Sequence, residues 1–195
     1  MHKNENLEKM SDRELVEIAK EDQEIFGVLM ARYQWPLFHY VRRISGLAQE
    51  DIEDMLQEIF TKIYLNLNDH DGSLKFSSWI YRISHNHVVD NFRKISARPK
   101  MAILEDDEWM KIVRSDIDIE NELANKDCVK KIKEVIEKLP LKYREVLYLR
   151  FLEEKEYEEI MDIFRKSKGT VATLIARGKK ILVEELRKAN VKCSN

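Results

Sequence analysis

The segment 51–58 carries the first side chains whose types and spacing could do chemistry. Asp51, Asp54 and Glu58 lie three and four residues apart, which places them on one flank of a helix, and Gln57 is adjacent. Such carboxylates can act as general acid and base, hold a metal ion, or form a solvated or protein-binding face. No histidine stands at ligand spacing beside them, and the sequence has no glycine-rich phosphate loop. We therefore expect a solvated or protein-binding face with no metal, no cofactor and no catalysis.

A second group of candidate residues lies in segment 165–180, which holds six basic side chains and no acidic one. A short helix over 157–164, a tight turn at Arg165 and Lys166, and a second helix capped by Ser167 form the pattern of a helix-turn-helix. The second helix of such a motif enters the major groove of duplex DNA. The candidate DNA contacts are Lys166, Ser167, Lys168, Thr170, Thr173, Arg177, Lys179 and Lys180. A basic surface helix without a DNA partner is the alternative.

A third group lies in segment 76–94, which interleaves aromatic rings with cations and amides. A ring can stack on an unpaired base while a neighbouring cation holds its phosphate, so the pattern suits single-stranded nucleic acid. The spacing of Trp79 and Phe92 fits the buried face of a helix instead. The expected exposed contacts are Asn86, Arg93 and Lys94.

The elements that position these groups are predicted to be helices. Glycine (5 residues) and proline (3) are scarce, and apolar residues recur at helical spacing. We expect Ser11 or Asp12 to cap the first helix. Gly46 is expected to end the second helix, and Pro36 to kink it or to start its next piece. The predicted helices cover residues 15–19, 26–44, 51–67, 76–94, 123–139, 142–152, 157–164 and 167–189, with a loop over 68–73.

The periodicity predicts an all-α fold of two small helical domains, residues 1–96 and 126–195, joined by an acidic linker over 97–125. Neither domain can bury a large core alone, so a partner surface is expected. No apolar run is long enough to cross a membrane and the first 20 residues lack an apolar leader, so we expect a cytoplasmic protein without membrane insertion. Cys128 and Cys193 have no metal or redox spacing and are expected to be free thiols.

Charge alternates by block along the chain, although the net charge is only −2. Residues 75–104 carry 6 basic and 1 acidic side chain, and residues 126–195 carry 18 basic and 12 acidic. Residues 1–74 carry 8 basic and 15 acidic, and residues 105–125 carry 2 and 8. Two basic blocks in acidic surroundings favour two separate surfaces that face a nucleic acid, although each block alone could be a solvated face.

These segments, in this order, resemble the sigma subunits of bacterial RNA polymerase, and in particular the small two-domain extracytoplasmic-function (ECF) group. The resemblance covers about residues 21–96 and 126–188. Asp51-x-Glu-Asp-x-x-Gln-Glu-x-Phe60 is similar to region 2.2 of that family. The counterpart of regions 2.3 and 2.4 is similar in sequence and consists of Phe76-x-x-Trp79-x-x-Arg82 together with Asn86, Asp90 and Arg93-Lys94. Region 4.2 is resembled by Tyr157-x-Glu-Ile160 and Gly169-Thr-Val171.

The resemblance implies a transcription-initiation subunit that binds core RNA polymerase and promoter DNA, and that works with an anti-sigma factor. Its implied polymerase contacts are Asp51, Asp54, Gln57 and Glu58. Regions 2.3 and 2.4 melt the −10 element and hold a flipped base in the loop over 69–75. The implied −10 contacts are Asp69, Gly72, Ser73, Lys75, Asn86, Arg93 and Lys94. Region 4 reads the −35 element as duplex, which implicates the same eight residues as the helix-turn-helix.

Two other functions stay open on the residues alone. A stand-alone helix-turn-helix regulator would leave the acidic helix and segment 76–94 without a role. An enzyme acting on nucleic acid would use Asp51, Asp54 and Glu58 as metal ligands, and the sequence offers no further ligand cluster for it. The chain also departs from the family, which usually has small Ala and Gly where Met161 and Arg165 stand.

Overall fold

The computed structural model describes residues 7, 9–70, 72–95, 134–136 and 138–189, with the backbone alone over 92–95. These residues contain helices, turns and bends and no strand, which confirms the all-α prediction. The chain divides into two compact units, made chiefly of residues 1–100 and 101–195 respectively. The acidic linker predicted over 97–125 lies outside the described residues.

The first unit is a helical bundle. In chain order it contains α1 (Asp12–Ala19), α2 (Gln23–Ser45), α3 (Gln49–Leu65), a 3-10 turn (Leu67–Asp69) and α4 (Phe76–Ile95). The long helix α2 packs against α1, α3 and α4, and α4 also packs against α1 and α3. Every helix therefore contributes one apolar face to a shared core, as amphipathic helices must. Its most deeply buried side chains include Leu15, Leu29, Leu37, Tyr40, Ile44, Ile52, Ile59 and Tyr81.

Local signals fix the ends of the first helices. Ser11 caps α1 through a capping box, in which its hydroxyl accepts from the Glu14 N–H at 3.4 Å and its own N–H donates to Glu14 Oε2 at 2.8 Å. The Ser11 hydroxyl also donates to Glu14 Oε2 at 2.7 Å, and this bond, together with the one from the Ser11 N–H, holds the pKa of the Glu14 carboxyl below its ordinary value. Gly46 ends α2 in the left-handed region, with φ of 66°. Both ends were predicted, with Ser11 and not Asp12 as the cap.

Pro36 lies inside one continuous helix, which excludes the alternative that it starts a new one. Helix α2 runs from Gln23 to Ser45 with Pro36 inside it. Proline removes one backbone donor from a helix interior, a local loss. The buried residues Leu29 before it and Leu37 after it hold both halves of the helix in the same core. The bounds of α3 also differ from prediction by two residues at each end, and the expected loop over 68–73 begins inside a 3-10 turn.

The second unit contains α5 (Leu141–Phe151), α6 (Tyr157–Phe164) and α7 (Lys168–Lys188). Helix α7 packs along α5, with Val171, Ile175 and Leu182 buried on its apolar side. Gly178 lies on the same side, and a Cβ built there would stand 3.3 Å from Leu147 Cγ. The absence of a side chain at residue 178 therefore allows the two helices to approach closely.

Candidate nucleic-acid and protein interfaces

The turn between α6 and α7 shows how this chain replaces the usual small residues of such a motif. Arg165 ends α6 with φ of 52° and ψ of 49°, in the left-handed region that favours glycine. The N–H of Lys166 donates to the Met161 carbonyl at 3.1 Å, which closes the turn. Ser167 then caps α7 by accepting from the Thr170 N–H at 3.4 Å, as predicted. The helix-turn-helix geometry is kept, and Arg165 bears the backbone strain.

Helix α7 presents a polar face opposite its buried side. Thr170, Thr173, Arg177 and Lys180 are all exposed there, and Ser167 and Lys166 are exposed at its start. Arg177 makes no hydrogen bond or ion pair with any residue that the structure describes. The Thr173 hydroxyl, in contrast, donates to the Gly169 carbonyl at 2.7 Å within its own helix. Arg177 is thus the side chain of this face that is most accessible to an outside acceptor.

Two of the predicted lysine contacts are held against side chains of other helices. Lys168 Nζ lies 3.0 Å from Glu158 Oε1, so it is paired across the turn with α6. The hydrogen bond from Lys168 lowers the pKa of the Glu158 carboxyl. Lys179 Nζ lies 4.4 Å from the centroid of the Phe151 ring, on the flank of α7 that faces α5. The eight candidates therefore share one helix and its turn, but they do not all point outwards.

The acidic group of α3 lies on the side of that helix turned away from the core. Asp51, Asp54, Gln57 and Glu58 are all exposed, while Ile52 and Ile59 on the other side are fully buried. No group of three or more His, Cys, Asp or Glu side chains that could hold a metal occurs in the described part of the chain. The four side chains thus form the extended acidic face of one helix, which we call the α3 face.

A ring from α4 contacts this face. His87 is 6% exposed, and its Nε2 lies 3.3 Å from Glu58 Oε2. Its Nδ1 lies 2.7 Å from Lys62 Nζ, one turn further along α3. Since an ammonium can only donate, Nδ1 accepts, and the ring proton of a neutral His87 then sits on Nε2, the nitrogen nearer to Glu58. The sequence gives no signal for these contacts of His87, because nothing in it shows which residues of α3 lie above the ring.

An open groove of about 320 Å³ runs between α2 and α3 beside the acidic residues. Its floor is apolar, and its rim carries Gln49, Glu53 and Gln57. Trp35 lines it and is 64% exposed, a large exposure for an indole. Trp35 was not among the residues predicted from the sequence. The signal that could have found it is its position out of phase with the buried stripe of α2, which requires a large ring to face outwards.

The loop before α4 presents the predicted pocket residues. Asp69, Gly72, Ser73 and Lys75 are exposed, and Gly72 has φ of 74°, a turn conformation that favours glycine. Along α4, Asn86 is exposed while Trp79 is 6% exposed, which confirms Trp79 as a core residue. The side chains of Arg93, Lys94 and Phe92 lie outside the described part of the structure.

The same loop contains a buried imidazole that was not predicted from the sequence. His70 is 5% exposed, and its ring lies edge-on to Phe76 and Trp79 with centroid separations of 5.6 and 5.3 Å. Its Nε2 donates to the Leu74 carbonyl at 3.1 Å. A histidine in a polar loop gives no sequence signal for burial, because the burying surface comes from the next helix.

Comparison with known families identifies both units. Residues 29–98 match the model of Sigma-70 region 2, and residues 130–182 match that of Sigma-70, region 4. The chain is 31% identical over 190 residues to the ECF RNA polymerase sigma factor SigW of Bacillus subtilis, a match that covers 93% of this chain and 99% of the relative. The chain belongs to the ECF sigma factors. It is also 31% identical over 181 residues to the ECF RNA polymerase sigma-E factor of Escherichia coli K12, covering 90% and 94%.

Solved structures share the fold of this sigma factor. The structure of CnrH in complex with the cytosolic domain of CnrY matches with a TM-score of 0.66 and 24% identity, covering 91% of this chain and 97% of that one. The sigma factor RpoE from Bartonella quintana, in complex with the anti-sigma factor NepR, matches with a TM-score of 0.61 and 17% identity, covering 83% and 96%. No helix in the described part of the sigma factor has the length and apolar character needed to span a membrane.

Proposed function

We propose that this sigma factor binds core RNA polymerase through the α3 face and directs promoter-specific transcription initiation by reading two DNA elements. The observation that carries the proposal is that the acidic contact residues and the basic α7 residues lie on the exposed faces of two different helices, in two units. A negative face on one unit suits a basic protein partner, and a positive helix on the other suits DNA phosphates.

The polymerase contact is assigned to Asp51, Asp54, Gln57 and Glu58, with the adjoining groove as its apolar part. Exposed carboxylates contribute mainly to the rate and specificity of association, because the Coulomb term at a solvated surface is small. The exposed Trp35 and the apolar floor supply buried area, which aromatic side chains provide at the centre of protein interfaces. In this proposal the acidic rim speeds the association with polymerase, and the aromatic groove supplies the buried area that stabilises the complex.

The −10 contact is assigned to the loop residues Asp69, Gly72, Ser73 and Lys75 and to Asn86, Arg93 and Lys94 of α4. Strand separation costs the stacking of a base pair, so the protein must bind the separated strand better than the duplex. A flipped base enclosed by the loop, with phosphates held along α4, meets that requirement. The exposure of the loop residues and of Asn86 is consistent with this role.

The −35 contact is assigned to the helix-turn-helix, from Lys166 to Lys180. The exposed start of α7 directs N–H groups and the Ser167 hydroxyl towards phosphates, and Thr173 and Arg177 lie further along the same face. Arg177 is our candidate for a base edge, because a guanidinium can bind guanine O6 and N7 together. Lys168 and Lys179 reach phosphate only after leaving Glu158 and Phe151.

The remaining parts of the proposal follow from this role. The protein has no catalytic centre of its own, needs no cofactor and acts in the cytoplasm, where the polymerase and the promoter are. An anti-sigma factor is expected to cover the same surfaces, and the Bartonella RpoE structure holds that sigma factor in complex with the anti-sigma factor NepR.

Transcription in vitro with core polymerase tests the proposal directly. Full-length protein with core enzyme should give promoter-specific transcripts from a library of promoter fragments, and the absence of any such transcript would contradict it. The variant with Asp54→Lys and Glu58→Lys should lose binding to core polymerase. A matched control with Glu21→Lys and Glu134→Lys changes the net charge equally at two exposed sites outside the α3 face, and it should bind as wild type.

A further inference from the structure

We propose that His70 is a positioning residue for base selection at the −10 element: the hydrogen bond from its ring to the Leu74 carbonyl fixes the loop proposed to hold the flipped base. The inference rests on the proposed role of that loop. It concerns the described residues 69, 70 and 72–75, which we call the −10 loop. His70 itself is too buried to touch DNA, so it would act through the exposed residues that follow it.

The hydrogen bond from His70 closes the −10 loop on itself. Nε2 of the ring lies 3.1 Å from the carbonyl oxygen of Leu74, four residues on. Because a carbonyl oxygen can only accept, Nε2 carries the proton. Nδ1 is buried and has no hydrogen-bond partner among the described residues. The bond to Leu74 is therefore the one polar contact of the ring within the described structure, and it spans the turn at Gly72.

The ring also joins the −10 loop to the first turn of α4. Its edge-on contacts with Phe76 and Trp79 place it against two buried aromatic side chains. Such contacts fix the orientation of a ring as well as burying its area. These contacts fix the position of the −10 loop relative to the first turn of α4. The proposed base pocket is therefore attached to the helix that carries the proposed strand contacts.

A second tie comes from α1. Lys20, at the end of that helix, donates from Nζ to the backbone carbonyl of His70 at 3.0 Å. The same ammonium pairs with Glu17 at 2.9 Å, which fixes its direction. The backbone of residue 70 is thus held from α1 while its ring is held by α4. The −10 loop is attached to two helices before any DNA binds.

This attachment matters for selection among bases more than for binding strength. A preformed pocket loses little further freedom when the ligand enters, so a misfit base cannot be accommodated by a change in loop shape. A loosened loop can rearrange around several bases, which lowers discrimination while phosphate contacts elsewhere keep total binding. We therefore expect changes at His70 to lower the preference between bases and to leave core binding and −35 use intact.

Two substitutions separate the hydrogen bond from the ring. His70→Phe keeps an aromatic ring among Phe76 and Trp79 but has no donor for the Leu74 carbonyl. His70→Gln places an amide donor close to the position of Nε2 but has no ring. If the bond positions the loop, Phe should lose base preference and Gln should retain most of it. A purely structural role would instead make the aromatic substitute the better tolerated of the two.

The experiment is transcription in vitro by core polymerase with the full chain, on promoter fragments randomised across the −10 element. Asp69→Ala and Ser73→Ala, which alter the −10 loop itself, identify the position that the loop reads. At that position wild type should prefer one base roughly tenfold. His70→Phe should reduce this preference to about twofold or less, and Lys20→Met should reduce it in the same direction. Arg13→Met, on the exposed side of α1, is the control and should leave it unchanged.

Each remaining outcome decides the matter. If His70→Phe keeps the wild-type preference, or if the Phe and Gln variants lose it equally, the positioning role is wrong. If the loop variants change no preference, the loop reads no base and the inference is wrong with it. If wild type gives no promoter-specific transcript at all, the proposed function itself fails. Thermal unfolding of each variant shows whether a loss of base preference is due to misfolding. If a His70 variant is misfolded, the base preference of Lys20→Met tests the positioning role instead.

Discussion

Nε2 of His87 lies 3.3 Å from Oε2 of Glu58, so a nearly buried ring of α4 lies beside a carboxylate on the exposed face of α3. The same ring accepts from Lys62 on its other nitrogen at 2.7 Å. The helix proposed to contact polymerase and the helix proposed to contact the melted strand are therefore linked by polar contacts as well as by packing.

This link predicts a small effect of His87 on polymerase binding. His87→Phe keeps the ring volume and removes both nitrogens, so Glu58 loses its partner. We expect affinity for core polymerase to fall by about two- to fivefold, the range for a weak polar contact at a protein surface. Titration of labelled core enzyme measures it. In a Glu58→Gln background the His87 substitution should have no further effect, and an equal loss in both backgrounds would show that the ring acts elsewhere.

Glu158 is predicted to restrain DNA binding by the helix-turn-helix. Glu158→Gln should free Lys168 for a phosphate and remove a negative charge near the DNA. We expect the affinity of the holoenzyme for its −35 element to rise by about two- to fivefold, and the salt dependence to steepen by about one phosphate contact. In a Lys168→Gln background the gain should shrink, and an undiminished gain would assign it to charge repulsion alone.

The pH dependence of that effect has a definite sign. The hydrogen bond from Lys168 lowers the pKa of the Glu158 carboxyl in the folded protein. At any pH above the ordinary pKa the carboxylate is therefore charged and the pair with Lys168 is present. The pair is lost only when the pH falls through the lowered pKa. The difference between wild type and Glu158→Gln should therefore be constant from about pH 6 to about pH 8. A difference that changes across this range would require another titrating group.

Arg177 is predicted to read a base. Arg177→Ala should cost roughly 1–3 kcal/mol on the preferred −35 sequence and relax the preference at one position. Arg187→Ala, an exposed change in the last turn of the same helix, is the control and should have little effect. Binding of holoenzyme to a panel of −35 variants distinguishes the roles. An equal loss on every sequence would mark Arg177 as a phosphate contact.

Arg165 is predicted to lower the stability of the second unit. A non-glycine residue in the left-handed region costs about 1–2 kcal/mol, and the greater freedom of glycine in the unfolded chain offsets part of this. Arg165→Gly should therefore raise the unfolding free energy by about 0.5–1 kcal/mol and Tm by about 2 °C. Glu154 also has φ of 52°, so Glu154→Gly should raise Tm as well. Arg187→Gly, within α7, should lower Tm. A fall in Tm for Arg165→Gly would mean that its side chain stabilises the turn.

Local signals were sufficient where the physics is local. The Ser11 and Ser167 caps and the end of α2 at Gly46 each depend on one residue and its next three or four neighbours, and all three predictions are confirmed. The buried position of Trp79 followed from its place in a repeating apolar face, and it too is confirmed. Periodicity places such residues because a helix has a single apolar side.

The features that sequence patterns did not predict depend on a partner far along the chain. His70 is buried by Phe76 and Trp79 and tied to Lys20, 50 residues earlier. The sequence left open whether Pro36 kinks a helix or starts a new one, and it stays within one helix because the packing of α2 on three others outweighs a lost hydrogen bond. His87 and Trp35 acquire their roles only when α3 is placed beside them. The functions assigned to the exposed residues of α3, the −10 loop and α7 remain predictions for the experiments above.

Gly178 lies on the side of α7 that packs against α5, away from the side chains proposed to contact DNA. The side that meets α5 is held by a close helix contact with no side chain at residue 178, while Thr173 and Arg177 lie on the exposed side. A Cβ at residue 178 would press on Leu147, so we expect replacement of Gly178 to shift α7 against α5 and to move all its outward residues together, whereas replacement of an outward residue should leave this contact intact. We therefore expect promoter preference to change through single substitutions on the exposed face of α7, while glycine is kept at residue 178.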